Sequence, residues 1–202
     1  MEMTIEDEGG GNFEICRDGK SMLEMLANPT RDRSPAVSVR NDLRPGDIGM
    51  VVHLHGTIYA EERGWDYTFD AYVAGPIAEF VKFRSDGDRI WIVELKEGTE
   101  DEEGTDLIVG SVAVVNFSEE AAQLRWLLLA PEVRGVGLGR RLVEEAVAFS
   151  RSAGYKAVFL WTVRDLVAAT SLYRSLGFLE TEEKTSEIWG DTVTEVRYEL
   201  RL

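Results

Sequence analysis

The sequence predicts an α/β domain (α+β, one mixed sheet), and three observations carry that prediction. Strand-like and helix-like runs follow each other in the order strand, two helices, three strands, helix, strand, helix, two strands, which implies a single sheet with helices packed on it. The helix-like runs space their apolar residues three and four positions apart, whereas the strand-like runs are short and alternating or continuously apolar. A glycine-dense turn, Arg134-Gly135-Val136-Gly137-Leu138-Gly139, separates an apolar strand from a helix. A chain offers bare backbone N–H groups to a phosphate in this way.

The elements follow in order. Residues 1–35 are acidic and glycine-punctuated, with Gly9-Gly10-Gly11 and the prolines Pro29 and Pro35, a composition that predicts a flexible tail with one short helical patch at 20–26. The alternation Ala36–Arg40 begins the ordered part, so that 36–202 form one domain. Asp47 follows Pro45-Gly46 and is placed to cap a helix carrying Ile48, Val51, Val52, Leu54, Ile58 and Tyr59. A second helix starts near Asp66 and runs through Phe69, Tyr72, Val73, Ile77, Phe80 and Val81, with Gly75-Pro76 expected to kink or break it. Strands Arg89–Leu95 and 107–117 flank an acidic loop at 97–104 that lacks the alternating oxygen ligands of a calcium site and reads as a solvated connection. A strand at 122–129 leads into the glycine turn, and a helix at 140–153 aligns Leu142, Val143, Ala146, Val147 and Phe149 on one face. A strand at 156–161, a helix at 167–176 ended by Gly177, and strands at 178–183 and 192–202 complete the chain.

Composition narrows the function. A chain of 202 residues with 44% hydrophobic and 29% charged residues reads as one well-buried globular domain. No apolar run reaches the roughly 18–20 residues needed to span a bilayer. The acidic N-terminus lacks the basic-then-apolar pattern of a secretory leader. The single Cys16 excludes an internal disulfide framework and a multi-cysteine zinc site. The expectation is a cytoplasmic protein with no metal. A net charge of −15 argues against nucleic-acid partners and anionic membranes, and suits a cationic substrate.

The glycine turn departs from the common nucleotide loops. Counted from Gly135, a dinucleotide fingerprint needs glycine where Arg140 stands. A triphosphate loop needs Gly-Lys-Ser/Thr, and none is present. The pattern Arg-x-x-Gly-x-Gly instead fits Arg134, Gly137 and Gly139, and a second cluster follows at Ala169, Leu172-Tyr173 and Gly177-Phe178. With both motifs at this separation, the chain resembles the GNAT superfamily of acyl-CoA-dependent N-acetyltransferases over roughly residues 36–202. The resemblance is closest to the GNAT domains often fused to MarR-type regulators, through Leu43-Arg44-Pro45-Gly46-Asp47, Gly64-Trp65-Asp66, Leu160-Trp161-Thr162 and Trp189-Gly190 among others. It implies a mostly antiparallel twisted sheet of about seven strands, splayed between strands four and five and flanked by about four helices.

The resemblance also implies a cosubstrate, acetyl-CoA, and the residues that hold it. Backbone N–H groups of Gly135, Val136, Gly137, Leu138, Gly139 and Arg140 would hold the pyrophosphate, with Arg134 offsetting charge repulsion. Leu127, Leu128 and Leu129 would receive the pantetheine arm like an added strand, a backbone N–H near Leu128 polarising the thioester carbonyl. Ala169 and Tyr173 would lie near the sulfur, with Tyr173 as the acid for the departing thiolate or simply an amphipathic core tyrosine. Many family members carry asparagine where this chain has Leu166, so a polar contact is absent or supplied by Thr162 or Asp165.

The acceptor side stays open in the sequence. An amine must lose a proton before it attacks, and Glu62, a histidine or a water relay are the candidate bases. His53 and His55 are two residues apart on a helix, so they do not pair as a metal site. His55, Tyr59, Trp65, Asp66 and Trp189 are candidate lining for a cationic acceptor, with core packing the alternative for the aromatics. The implied partner is a small-molecule amine or a peptide, and a homodimer is compatible with the superfamily. The alternative function is an acyl-CoA-binding sensor with little catalysis.

Overall fold

The computed structural model describes residues 12–14, 36–96 and 106–202. The helical patch expected at 20–26, Cys16 and the acidic loop at 97–104 lie outside these residues. The strands are β1 (Asn12–Glu14), β2 (Ala36–Arg40), β3 (Arg89–Leu95), β4 (Leu107–Asn116), β5 (Ala121–Leu129), β6 (Ala157–Val163), β7 (Leu179–Ile188) and β8 (Asp191–Arg201). The helices are α1 (Asp47–Arg63), α2 (Thr68–Phe83), α3 (Leu138–Ser152) and α4 (Val167–Ser175). The strands form one sheet in the order β1-β2-β3-β4-β5-β6-β8-β7. Seven of them are those expected from the sequence; the eighth, β1, adds three residues antiparallel to β2.

Alternation along the strands sorts the core into two layers. On β3, Trp91 and Val93 face the layer that contains α3, with Leu138, Leu142, Val143, Ala146 and Val147. Ile90 and Ile92 face the layer of α1 and α2, with Val51, Phe69, Val73, Ile77 and Phe80. Strand β4 splits the same way, Val112 and Val114 against Ala113.

Every pairing in the sheet is antiparallel except β5–β6, which is parallel. That ladder covers only Ala121–Gln123 against Ala157–Phe159, while β6 stays paired with β8 as far as Val163. The two strands therefore diverge, and the second half of β5 has one open edge. The splay expected from the resemblance is present at this junction.

Two local expectations are corrected. Asp47 is not the N-cap of α1: that position is Gly46, at φ +99°. The Asp47 carboxylate accepts from the Arg44 N–H at 2.6 Å and from both terminal nitrogens of Arg40 at 2.6 and 2.8 Å. Arg40 also binds Glu94 at 2.7 Å, so an almost solvent-free cation ties β2, β3 and the start of α1 together. Helix α2 runs unbroken through Pro76. An interior proline costs about 3 kcal/mol. Phe69, Val73, Ile77 and Phe80 are all buried, and at roughly 1.5–3 kcal/mol per side chain their packing exceeds that cost.

Candidate active site

The donor side is assembled from backbone. Ala130 donates its N–H to the Val109 carbonyl at 2.7 Å. Strand alternation therefore turns the Leu128 backbone toward β4 and leaves Leu127 and Leu129 on the open edge of β5. The open edge runs into a short 3₁₀ turn (Pro131–Val133) and then the glycines. Gly135 and Gly137 sit at φ +80° and +86°, a region that only glycine enters without strain. A Cβ at either position would meet nothing within 4 Å, so clear space lies in front of α3. The first N–H to close inside α3 is that of Arg141, on the Gly137 carbonyl at 3.1 Å. The N–H groups of Leu138, Gly139 and Arg140 have no acceptor within the helix and combine with the positive end of a 15-residue helix dipole.

These features fit a phosphorylated ligand with a strand-like arm. The arginines reach elsewhere. Arg134 donates from Nε to the Leu129 carbonyl at 2.7 Å and from Nη1 to Glu62 Oε1 at 2.6 Å. Arg140 donates to Ser175 Oγ at 2.6 Å. Arg134 thus caps the open edge of β5 and joins it to the C-terminal end of α1. Its neighbour on α1, Arg63, donates to the Asp165 carbonyl at 2.8 Å, so α1 touches both loops that flank the splay.

Helix α4 carries Ala169 and Tyr173 against the α3 layer. The Tyr173 ring lies 5.8 Å from Phe178 and 6.2 Å from Tyr198, centre to centre. Burial, and secondarily the nearby Tyr59, push its hydroxyl pKa well above the usual range. The hydroxyl bonds to no group among the described residues. No fully enclosed side-chain polar atom among them lacks a partner, so the Tyr173 oxygen keeps some solvent-accessible surface. Burial likewise raises Tyr59 to about 12, with Arg134, Glu62 and Arg63 as its charged neighbours. The structure therefore brings Tyr59, Glu62, Arg134 and Tyr173 to one place.

The acceptor side is assembled from side chains. The β7–β8 turn has Trp189 at φ +57° followed by Gly190 at +78°. A tryptophan pays about 1 kcal/mol or more for that conformation, and its indole is buried. Its ring centre lies 4.5 Å from Trp65, 4.8 Å from Phe69 and 4.9 Å from Tyr72. Tyr59 stacks on Trp65 at 4.7 Å. Asp66 ties the turn to α2: its N–H donates to the Trp189 carbonyl at 3.0 Å, and its carboxylate accepts from the Thr68 N–H at 2.9 Å. A shallow hollow bounded by Thr68, Glu187, Trp189 and Asp191 opens beside it. His55 is buried, with Nδ1 2.8 Å from the Val51 carbonyl, and burial lowers its pKa to about 4. His53 is exposed.

One feature escaped sequence reasoning. The β4–β5 register slips between Ser111 and Ala113, and Trp126 takes φ +51° in the resulting bulge. The Ser111 hydroxyl donates to the Trp126 carbonyl at 2.8 Å. A tryptophan inside an apolar run gives no signal for positive φ, and only the pairing with β4 shows it.

Residues 56–178 match the model of the acetyltransferase (GNAT) family. The chain belongs to this family. It is 33% identical over 161 residues to an uncharacterized N-acetyltransferase of Schizosaccharomyces pombe, an alignment covering 78% of this chain and 88% of that one. It is 30% identical over 112 residues to human N-acetyltransferase 8B, covering 53% of this chain but only 45% of the human protein. Among solved structures, an acetyltransferase of Streptococcus agalactiae superposes with a TM-score of 0.61 at 21% identity, covering 82% of this chain and 98% of that one. The Salmonella typhimurium protein yncA, solved with its cofactor acetyl-CoA, gives 0.59 at 15% identity over 82% and 94%. These likenesses show the mixed α/β GNAT fold. Among the described residues no helix is long and apolar enough to cross a membrane.

Proposed function

We propose that the chain is a cytoplasmic N-acetyltransferase that moves the acetyl group of acetyl-CoA to a primary amine of a small molecule or peptide. The observation that carries this reading is the open edge of β5 running directly into the α3 N-terminus, with Tyr173 close to Tyr59 and Tyr59 close to Arg134 and Glu62. Leu127 and Leu129 present strand-type hydrogen-bonding groups to a pantetheine arm, and Gly135–Arg140 present N–H groups to its pyrophosphate. Acetyl-CoA supplies an activated acetyl carbon at the divergence of β5 and β6. Backbone N–H groups on the open edge are placed to stabilise the oxygen of that carbonyl.

Glu62, fixed at the mouth of the cleft by Arg134, takes the proton of the acceptor ammonium directly or through water. The amine nitrogen then bonds to the acetyl carbon, the carbon–sulfur bond breaks, Tyr173 gives its proton to the departing sulfur, and the second proton released by the nitrogen returns through solvent to the tyrosine. A tyrosine whose pKa is raised by burial stays protonated at neutral pH, as an acid must. Tyr173→Phe is expected to lower kcat by roughly a hundredfold while the dissociation constant for CoA stays within a factor of about two. Unchanged turnover removes Tyr173 from the chemistry.

Leu166, at the start of α4, favours a second reading. It stands where many relatives carry asparagine and offers no side-chain cap to the helix. Together with the sequence resemblance to regulator-fused domains, this supports an acyl-CoA sensor with little catalysis. Sustained thiol release with any amine eliminates that reading.

A further inference from the structure

We infer that Arg125 is the subsite for a carboxylate carried by the acceptor, so that the amine acetylated belongs to a small amino acid. This rests on the proposed transferase reading and deepens it. Arg125 pairs with Ala113 across β4 and β5, and Ala113 lies in the layer beneath α1 and α2. Paired residues share a face, so the Arg125 side chain projects into that layer. The parallel ladder with β6 ends at Gln123. Arg125 is therefore the first residue on that face beyond the point where the sheet opens. The bulge turns Trp126 to the same side, where its ring packs 5.5 Å from Phe80 and the Arg125 guanidinium carbon lies 5.0 Å from its centre.

Like Arg89, which lies over Phe149, Arg125 has no carboxylate partner among the described residues. The protein has a net charge of −15, and Arg40, Arg134, Arg164, Arg174 and Arg197 each hold a carboxylate. Arg125 is half-buried, yet among the described residues it has no ion pair and no hydrogen bond. Burial lowers its pKa, with Tyr72 its charge-coupled neighbour. A desolvated guanidinium without an anion is costly, and its planar fork matches the two oxygens of a carboxylate. A buried acid on the same face, Glu195 on β8, is already held by Lys184 at 2.9 Å. Arg125 also lies two residues before Leu127 on the same strand, across the Trp126 bulge. A molecule whose amine and carboxylate are a few bonds apart fits between that guanidinium and the open edge. A cation–π contact with Trp126 alone would have no bearing on which acceptor is used.

The test compares free amino acids with their carboxamides as acceptors, following thiol release from acetyl-CoA. The wild-type protein should favour the free acid through KM, by roughly tenfold or more in kcat/KM. Arg125→Gln should raise KM for the free acid and erase the preference, and Arg125→Lys should retain part of it. Carboxamides used as well as free acids, no free acid used at all, or a preference that survives Arg125→Gln each overturn the inference. An equal preference in dipeptides, whose amine and carboxylate are farther apart, overturns the small-molecule assignment. CoA binding is measured in parallel by thermal shift. A chain that binds CoA and acetylates amines without regard to carboxylate defeats only this inference. One that neither binds CoA nor acetylates any amine defeats the proposed function as well.

Discussion

The proposed donor half and the proposed acceptor half of the cleft are built by opposite means. The donor half uses backbone: the open edge of β5, two glycines at positive φ and the first N–H groups of α3. The acceptor half uses side chains brought from α1, α2, β5 and the β7–β8 turn, packed ring against ring. Backbone recognition needs a fixed local conformation and little else. Side-chain recognition depends on tertiary packing, so stability and acceptor geometry should be coupled on that side and largely separable on the donor side.

The largest expected effect tests that coupling. Trp65 is 6% exposed and touches Tyr59, Phe69 and Trp189. Trp65→Ala should lower stability to urea by about 3–5 kcal/mol. The CoA dissociation constant, measured well below the unfolding transition, should stay within about twofold. A rise in that constant in step with the lost stability would show that the two halves are a single cooperative unit.

Next in size is a pH effect confined to the acceptor half. Burial lowers the His55 pKa from the ordinary 6.5 to about 4. The folded protein therefore binds this proton less readily than the unfolded chain. The stabilising contribution is fully present above pH 6.5 and is lost as the pH falls toward 4, amounting to roughly 3 kcal/mol across that window. Denaturation at pH 7 and pH 5 should show wild-type stability falling more than that of His55→Leu. Equal losses in the two proteins would mean that the imidazole titrates normally and is open to solvent.

The same contrast explains what the sequence revealed. The glycine spacing is local, and two of the three glycines answer to a positive φ, so Arg134–Gly139 was legible with the helix that follows it. The order of elements along the chain followed from periodicity, and the splay from family likeness. The acceptor candidates were visible only as residue types. Trp65 and Trp189 lie 124 positions apart and meet at 4.5 Å, a contact that no local pattern encodes. The Trp126 bulge and the placing of Arg125, which has no ion pair among the described residues, depend on register across β4, and the ion pair of Glu62 with Arg134 spans 72 residues. The expectation of a break at Pro76 failed because buried apolar contacts outweigh the lost hydrogen bond, a balance invisible in a dipeptide.

The smallest expected change in stability gives the sharpest test of the donor half. Gly137 is the N-cap of α3 at φ +86°, and a Cβ there meets nothing within 4 Å. Gly137→Ala therefore introduces no clash, and its cost is the conformational penalty alone, about 1 kcal/mol. In the proposed site a pyrophosphate approaches this same glycine turn, and the added methyl would compete with it for space. CoA affinity should fall by roughly tenfold or more, well beyond the share that the stability loss explains. The two variants then form a mirrored pair: Trp65→Ala costs stability and spares CoA, whereas Gly137→Ala spares stability and costs CoA. An affinity loss at Gly137 no larger than that at Trp65 would mean that the α3 N-terminus does not hold the phosphates, and the donor site would have to be placed elsewhere along the open edge of β5.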